Sequence, residues 1–314
     1  MNKITVLLLF VLLAMVPWFF FGGPDYYSLR SVKFLWNFGH IVFFATAVFW
    51  SLRVFNVLAN RSLGFQCLVV VLVTTVAGVL IEWLQYGLGR QVDIYDLIRN
   101  ITGGLLALLW FPAAAHVANR RWLYFGRGIV TTLVLSQLFI LSMILIDEWR
   151  VKNNQPQLSQ FDSVYELSRW DRYDFSEALV EDPVKHGDYA FKVALTTDKY
   201  SGVALKYFYR DWRAYDVLQV SIFNPDDSDL SLVIRVHDKA HSLGIQQYPD
   251  RFNRRILLTP GWNQIEIDIK DIQSAPDRRE INLAEIQAIG LFSVALKNPR
   301  TVFIDSLRLV KVAP

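Results

Sequence analysis

Two adjoining stretches decide the fold of this chain: Gly128–Ile146, GIVTTLVLSQLFILSMILI, and Asp147–Gln160, DEWRVKNNQPQLSQ. The first has no charged residue, and about 20 residues of this kind cross the hydrocarbon core of a membrane as a helix. The second is polar and aperiodic, which is typical of a linker. Long apolar runs precede these stretches, and short runs of alternating apolar and polar residues follow them. We therefore predict a membrane domain over residues 1–146, a linker over 147–160 and a β domain over 161–314.

The charges follow the same division. Residues 1–150 contain 11 Lys and Arg against 6 Asp and Glu, whereas the rest of the 314-residue chain contains 21 against 23. The hydrophobic share of 53% exceeds the roughly 45–50% of soluble domains. Because the cations of the first part stand between apolar runs and form no basic patch, the composition argues against a nucleic-acid partner.

Five apolar stretches approach the length of a membrane span. They are Ile4–Phe21, Phe34–Leu52, Phe65–Leu84, Ile101–Ala118 and Gly128–Ile146. The first ends in bulky residues where a cleaved signal peptide needs small ones, so we interpret it as a retained helix. The predicted fold is multi-domain: an α-helical transmembrane bundle of about five helices, then an all-β jelly-roll or sandwich domain.

The orientation rests on a balanced charge count. With the N-terminus inside, six Lys and Arg residues lie on each side, and the densest group, Arg120, Arg121 and Arg127, lies inside. An odd number of spans then places residues 150–314 outside. We expect a multi-pass protein of the bacterial inner (cytoplasmic) membrane with a periplasmic or extracytoplasmic C-terminal domain.

Polar residues recur at helical spacing within the apolar stretches. Lys33, Asn37 and His40 share one helix face, and Glu82 and Gln85 share another. Ionisable groups are costly in a membrane and usually face a bundle interior or a water-filled cavity. These residues therefore predict an internal polar cluster.

A second polar group follows directly. Arg90 precedes a helix expected to begin near Gln91, on which Asp93, Asp96 and Asn100 share a stripe. In the predicted topology this end of the helix meets the polar ends of the second and third helices. We expect all of these residues to converge at the outer side.

These residues resemble the signature of VanZ-like membrane proteins over about residues 25–115. The resemblance rests on the following residues: Ile81-Glu82-Trp83-Leu84-Gln85, Gly89-Arg90, Asp93, Asp96, Asn100, Gly103-Gly104 and the upstream His40. The family usually has an Asp-Lys pair before the histidine, where this chain has Ser31-Val32-Lys33-Phe34. The family name implies a link to teicoplanin-type glycopeptide resistance and the cell envelope, and supplies no established activity.

Three roles are open for the polar cluster. It can be structural, with hydrogen bonds between helices. It can bind a lipid or a lipid-linked headgroup, with Lys33 or Arg90 on a phosphate and the neighbouring carboxylates and amides on sugar or peptide groups. It can be catalytic, with Glu82 or Asp96 as a general base and His40 as a proton shuttle.

Eight strands are predicted by period-two alternation between turn signals. They are Tyr189–Leu195, Gly202–Phe208, Val217–Phe223, Ser231–Val236, Arg255–Leu258, Asn263–Ile269, Ile286–Val294 and Thr301–Val310. A short helix is expected around Leu283–Glu285. This number of strands in such a length is typical of a sandwich or jelly roll.

The order of these strands and turns resembles the galactose-binding-like, carbohydrate-binding sandwich modules. The resemblance is carried by segments such as Ile234–Asp238, Thr259–Asn263 and Phe303–Leu309. It implies sugar-stacking roles for five aromatic residues: Trp170, Tyr173, Trp212, Tyr215 and Tyr248. Packing in the core is the alternative for each of them. The resemblance also implies a structural calcium ion at Asp305, with Asp162 as a second ligand.

The leading functional hypothesis is a non-catalytic envelope protein. Its outer sandwich would bind a glycan, while the bundle binds the lipid bilayer and a lipid-linked cell-wall precursor or similar component. The first alternative is a membrane enzyme that acts on a lipid-linked substrate through Glu82, Asp96 and His40. The second is a structural protein that binds a partner.

Overall fold

The computed structural model describes residues 3–25, 27–55, 58, 60–87, 93–111, 120–172 and 178–312. The chain divides into two compact units, Met1–Ile144 and Leu145–Pro314. The first is helical and the second is mainly an antiparallel β-sandwich, as the sequence predicts.

Within the described ranges, five long helices account for the first unit and the start of the second. They are α1 (Lys3–Phe20), α2 (Arg30–Val54), α3 (Leu63–Gly87), α4 (Ile94–Trp110) and α5 (Arg120–Asn153). Of these, α1, α2, α3 and α5 are long and apolar enough to cross a membrane.

Helix α4 begins within the polar motif and not at Ile101, where its apolar stretch starts. Asp93 is the reason, because its carboxylate accepts a hydrogen bond from the Tyr95 backbone N–H at 2.9 Å and caps the helix. Asp96 lies in the first turn, where a negative charge is favourable to the helix dipole. The end of the predicted stretch, residues 112–118, lies outside the described residues.

Glycines allow α4 to pack closely on its neighbours. A Cβ on Gly103 would collide with the backbone of Ile41 in α2, and one on Gly104 would lie 2.7 Å from Thr74 Cγ2 in α3. In the same way, Gly78 of α3 leaves room for the Asn100 side chain, whose Nδ2 is 2.5 Å from the ideal Cβ position. Helix α4 therefore packs against both α2 and α3.

The segment 147–160 is structured and is not the predicted aperiodic linker. Helix α5 continues to Asn153, and β1 (Gln157–Ser159) pairs with the last strand of the sandwich. Several polar residues of this segment have partners within the second unit, namely Asp147 with Arg169, Gln155 with Tyr215 and Ser159 with Glu166, and this explains why a sequence without periodicity is ordered.

The second unit contains eleven strands over its described residues. They are β1, β2 (Trp170–Arg172), β3 (Ala178–Val180), β4 (Ala190–Leu195), β5 (Tyr200–Leu205), β6 (Val217–Asn224), β7 (Leu230–Asp238), β8 (Phe252–Leu258), β9 (Gly261–Asp268), β10 (Ile286–Val294) and β11 (Arg300–Val310). One sheet has the order β3-β4-β11-β6-β9 with β1 on β11, and the other has the order β2-β5-β10-β7-β8. The eight predicted strands are present, and the three missed ones have three residues each.

Two short helices, α6 (Lys239–Leu243) and α7 (Ile269–Gln273), lie between strands. The helix expected around Leu283–Glu285 is a turn instead. Its Asn282 side chain accepts a hydrogen bond from the Ala284 backbone N–H at 3.1 Å, an Asx turn that competes with helix formation.

The core of the sandwich is formed by the inward residues of both sheets, including Phe191, Ile222 and Ile234, which are fully buried. Trp170 and Trp212 also belong to this core, with 5% and 0% of their surface exposed. Trp170 packs 5.7 Å from the Phe161 ring. Their burial corrects the assignment of both tryptophans as sugar-stacking residues, because neither ring has a face open to a ligand.

Candidate functional site

The outer face of the five-stranded sheet points away from the core, and strand register defines it. In β7 the residues Leu230, Leu232, Ile234 and Val236 are buried in the core, so alternate residues such as Arg235 and His237 point outward. Their neighbours across the ladder lie on the same face. The outer face comprises Tyr200, Gly202, Ala204, Val233, Arg235, His237, Asn253, Arg255, Ala288, Gly290 and Phe292.

Small residues form the middle of this face. Gly202, Ala204 and Gly290 are neighbours across β5 and β10. A Cβ on Gly290 would lie 3.3 Å from Arg235 Nε and 3.4 Å from Nη2. The missing side chain therefore lets the guanidinium of Arg235 lie against the sheet.

Aromatic rings flank the guanidinium. The Arg235 guanidinium carbon is 5.6 Å from the centre of the Phe292 ring, within the range of a cation–π contact. Tyr200 meets Phe292 edge to face at 5.9 Å, and 57% of its surface is exposed. An exposed tyrosine beside a half-buried phenylalanine offers flat apolar surface at the edge of a polar patch.

Three polar atoms on this face are buried and have no hydrogen-bond partner among the described residues. They are Arg235 Nε, His237 Nδ1 and Asn253 Oδ1. Arg235 and Asn253 are direct neighbours across β7 and β8, and His237 follows two residues along β7. Buried polar groups are nearly always paired, and an unpaired one costs about 1–3 kcal/mol. Three together on one sheet face indicate a site for a ligand with hydroxyl or charged groups.

The electrostatics of the face are positive. Burial, with a smaller contribution from the charge of nearby Arg235, lowers the pKa of Lys206 to about 8. Burial lowers the pKa of His237 to about 3, helped by Arg235, His241 and Arg251. His237 is therefore neutral at pH 7, and its ring nitrogens can serve as one donor and one acceptor.

The outer face is not among the sites predicted from the sequence. The signal for it in the sequence is the outward position of Arg235, His237 and Phe292 in strands whose alternate residues are mostly apolar. Of the predicted stacking residues, Tyr248 is 68% exposed and lies 5.6 Å from the Arg251 guanidinium, whereas the hydroxyl of Tyr215 donates to Gln155 Oε1 at 3.3 Å. Tyr173 lies outside the described residues.

The first unit brings several predicted polar residues together. His40 Nδ1 is 2.9 Å from Asn100 Oδ1, so the ring N–H donates to the amide oxygen, and His40 Nε2 is 3.4 Å from Asp96 Oδ2. Arg99 pairs with both Asp96 and Asp93. The two residues that contact the histidine of α2, Asn100 and Asp96, therefore come from the same helix as Arg99, and Asp93 is the cap of that helix.

Glu82 joins this cluster through the backbone of the α4 cap, because the Asp93 N–H donates to its carboxylate at 3.3 Å. Gln85 instead donates to the Phe19 carbonyl of α1 at 2.8 Å. Lys33 is close to Asp25, which its charge affects, and Asn37 makes no hydrogen bond through its side chain within the described residues. Arg90 lies outside the described residues.

Arg99 belongs to the cluster but is not among the residues predicted from the sequence. Its position three residues after Asp96 places both side chains on one helix face, and this spacing is the feature from which its role could be predicted. An apolar cavity of about 390 Å³ lies beside the cluster, lined mainly by residues of α1 and α2 and including His40.

Asp162 and Asp305 are near enough for the charge of Asp305 to affect Asp162. Burial raises the pKa of Asp162, and the carboxylates of Glu166, Asp188 and Asp305 add to the increase. Asp305 is fully buried; its Oδ2 accepts from the backbone N–H groups of Lys185 and His186 at 2.7 and 2.9 Å, while its Oδ1 has no hydrogen-bond partner among the described residues. A cluster of three or more His, Cys, Asp or Glu side chains positioned to hold a metal is absent from the described residues. The two aspartates therefore fit calcium only if backbone carbonyl oxygens complete the six to eight ligands that it needs.

Comparison with known proteins gives a likeness for the second unit alone. No family model matches the chain. No curated protein matches it either. The VanZ-like resemblance therefore stays a prediction.

The solved structures similar to this chain include carbohydrate-binding modules. One is a family 11 carbohydrate-binding module from Clostridium thermocellum in complex with a β-1,3-1,4-mixed-linked tetrasaccharide, at 19% identity and TM-score 0.40, covering 50% of this chain and 95% of that one. Another is the family 30 carbohydrate-binding module of a cellulosomal cellulase of Clostridium thermocellum, at 13% identity and TM-score 0.35, covering 46% of this chain and 88% of that one. An exo-β-agarase matches at 16% identity and TM-score 0.41, and the match covers 51% of this chain and 25% of the agarase chain.

Proposed function

We propose that this chain is a membrane protein of the cell envelope whose β-sandwich binds a glycan on the outer face of the five-stranded sheet. The observation that carries the proposal is the group of unpaired buried atoms at Arg235, His237 and Asn253. Sugar hydroxyl groups both donate and accept hydrogen bonds, so one saccharide can pair with all three. Phe292 and Tyr200 supply apolar surface for the C–H face of a sugar ring.

Glycan-array binding of the full chain, purified in detergent, tests this proposal. The Phe292→Ala and Asn253→Ala variants should each weaken binding of any positive saccharide by about tenfold, the usual effect of one well-placed contact. Leu243→Ala is the matched control, because Leu243 is 70% exposed in α6 and not on the outer face. Retention of full affinity in both variants would overturn the assignment of the site.

We propose that the apolar helices span the inner membrane and that the sandwich is extracytoplasmic. The length and apolar character of α1, α2, α3 and α5 support the membrane assignment. A periplasmic reporter fused after Lys152 should be active, and a matching fusion near Asn60, on the opposite side in this topology, should be inactive. The reverse pattern would contradict the orientation and, with it, access to an external glycan.

We also propose that the helical unit binds a lipid or a lipid-linked envelope component. The apolar cavity beside His40 suits a hydrocarbon chain, and the imidazole between an amide oxygen and a carboxylate suits a polar headgroup. The same imidazole geometry favours the second candidate, proton transfer by His40 and Asp96 with Glu82 nearby. A VanZ-like identity is compatible with either role.

Lipid mass spectrometry of the detergent-purified chain tests this second site. The His40→Ala and Asp96→Asn variants should lose a copurified lipid at unchanged membrane abundance. Thr46→Ala is the control on the same helix, since Thr46 bonds only to the carbonyl of Val42 one turn before it. If the membrane abundance of both variants falls in proportion to the copurified lipid, the cluster has a structural role and does not bind the lipid.

We propose, finally, a structural calcium ion at Asp162 and Asp305. The unpaired and fully buried Oδ1 of Asp305 and the raised pKa of Asp162 support it, because a cation would relieve both. Gly187 leaves the space in which the Asp162 carboxylate lies, since a Cβ there would be 2.8 Å from Oδ1.

A further inference from the structure

The outer face is more cationic than binding of a neutral sugar requires. Arg235 and Arg255 point outward on this face, and Lys206 and Arg251 lie at its margins. The strand register also places one carboxylate on the face, that of Asp171, which lies opposite Ala204. Asp171 already pairs with Lys206. Among the described residues, the positive charges of the two strand arginines are therefore left without a balancing carboxylate on the face.

Arg235 is the most unusual of these groups. Its guanidinium is half-buried over Gly290 and beside Phe292, yet it makes no hydrogen bond and no salt bridge with any described residue. Arginines that are withdrawn from water normally pair with a carboxylate or a phosphate, since the planar fork matches two oxygens at once. The Phe292 ring compensates only part of the lost solvation.

Arg255 provides a second, more accessible cation in reach of the first. It lies opposite Val233, and Asn253 lies opposite Arg235, so the two arginines are diagonal neighbours on β7 and β8. Such neighbours are about 7–8 Å apart at their Cα atoms, within the span of long side chains. One anionic group on a ligand can thus lie between both guanidinium groups, while Asn253 and His237 bind adjacent hydroxyls.

The titration of the neighbours agrees with this geometry. Lys206 and His237 both have lowered pKa values, and Arg235 contributes to each. Added negative charge on the face would stabilise the cations that now repel one another, whereas a neutral ligand would bury them further without compensation.

We propose that the ligand of the outer face is an acidic saccharide, whose carboxylate, sulfate or phosphate group pairs with Arg235 and Arg255. This inference rests on the proposed glycan-binding function and narrows its ligand class. A carboxylate-bearing uronic acid and a sulfated sugar share the required chemistry, and the two are separated by the choice of probe.

Binding of matched acidic and neutral probes to the full chain in detergent tests the inference. The first pair is tetragalacturonate and its methyl ester, in which a methyl group on each carboxyl removes the negative charge and leaves the sugar backbone unchanged. The second pair is dextran sulfate and dextran. At least one acidic probe should bind about tenfold or more tightly than its neutral partner, and the difference should shrink as salt is raised from 0.05 to about 0.5 M.

Variants then assign the charge effect to residues. Arg235→Gln should abolish most of the preference for the acidic probe, and Arg235→Lys should restore part of it. Arg255→Gln, on the exposed surface, gives a second measurement in case the first variant does not fold. Arg254→Gln is the matched control, because Arg254 is the adjacent residue of β8, faces the other side and pairs with Asp271.

The outcomes separate this inference from the proposed function. Equal or tighter binding of the neutral probes would overturn the acidic assignment and leave glycan binding intact. An acidic preference that survives in both Arg235→Gln and Arg255→Gln would also overturn it. Absence of binding to every saccharide, acidic or neutral, would overturn the proposed glycan function itself.

Discussion

Arg169 and Asp147 form a two-point salt bridge within the second unit, with Nε 2.9 Å from Oδ2 and Nη2 2.5 Å from Oδ1. Both side chains are almost fully buried, at 7% and 4% exposure. Arg169 also approaches Glu166 at 3.4 Å, and Glu166 in turn accepts the backbone N–H groups of Gln160 and Phe161. This network fixes the end of α5 to the first residues of the sandwich.

Removal of one partner of this pair should destabilise the sandwich strongly. Asp147→Asn removes the two-point partner of a buried arginine and leaves Arg169 only the single, longer contact to Glu166; loss of one partner of a buried pair typically costs about 3–5 kcal/mol. Denaturant unfolding of the full chain, followed by tryptophan fluorescence, measures the loss. The Asp211→Asn variant is the control, because Asp211 pairs with an Arg213 that is 67% exposed, and exposed pairs contribute less than about 1 kcal/mol. Equal losses in the two variants would contradict a structural role for the buried pair.

This salt bridge also shows where sequence reasoning reached its limit. Residues 147–160 have no periodicity, so their order comes from partners distant in the chain, which no local pattern reveals. The short strands β1, β2 and β3 were missed for the same reason: three residues are too few for an alternating pattern, and each forms by pairing on a longer neighbour. The eight longer strands were predictable because their alternation is local.

The two candidate sites also differ in how far the sequence predicts them. His40, Asp96 and Asn100 were predictable as a cluster because polar residues at helical spacing are conspicuous in apolar helices. Arg235 and Phe292 were not, since an arginine or an aromatic residue in an alternating strand is usually an ordinary surface residue. Only the strand order places Gly290 under Arg235 and leaves that guanidinium without a hydrogen-bond partner in the part of the chain that the structure describes.

His237 should make the sandwich sensitive to acid. Its pKa in the folded chain is lowered to about 3 by burial and by nearby cations, whereas an unfolded histidine titrates near about 6.5. Between these values the unfolded chain binds more protons, so stability is complete above about pH 6.5 and falls as the pH decreases towards 3. The His237→Gln variant should lose less stability between pH 7 and pH 4, by on the order of 1–3 kcal/mol.

Denaturant unfolding at several pH values measures this difference. His186→Gln serves as the control, because His186 is an exposed loop residue. Parallel pH profiles for the wild type and His237→Gln would show that His237 is not the group responsible.

Calcium should raise the thermal stability of the second unit. Millimolar Ca²⁺ is expected to increase the unfolding temperature by a few degrees, since a ligand that binds the folded state alone stabilises it by mass action, about 2.7 kcal/mol at one hundred times Kd. The Asp305→Asn variant should lose this increase, and Mg²⁺ should not replace Ca²⁺ because it tolerates irregular oxygen cages poorly. Asp226→Asn is the control, as Asp226 pairs with Arg300 in a separate turn. An unchanged unfolding temperature on addition of Ca²⁺ to the wild type would refute the site.

Gly290 should control ligand binding through Arg235. In Gly290→Ala the new methyl group lies 3.3–3.4 Å from the guanidinium nitrogens, closer than ordinary contact, so the flexible arginine moves away while the strand stays in place. Saccharide affinity should fall about threefold to tenfold, with a change in unfolding free energy below about 1 kcal/mol. The double variant Gly290→Ala with Arg235→Gln completes a double-mutant cycle for saccharide affinity. If the glycine acts by positioning Arg235, the alanine adds no further loss of affinity once the guanidinium is absent. If the two losses simply add, Gly290 acts independently of Arg235 and the positioning role is refuted.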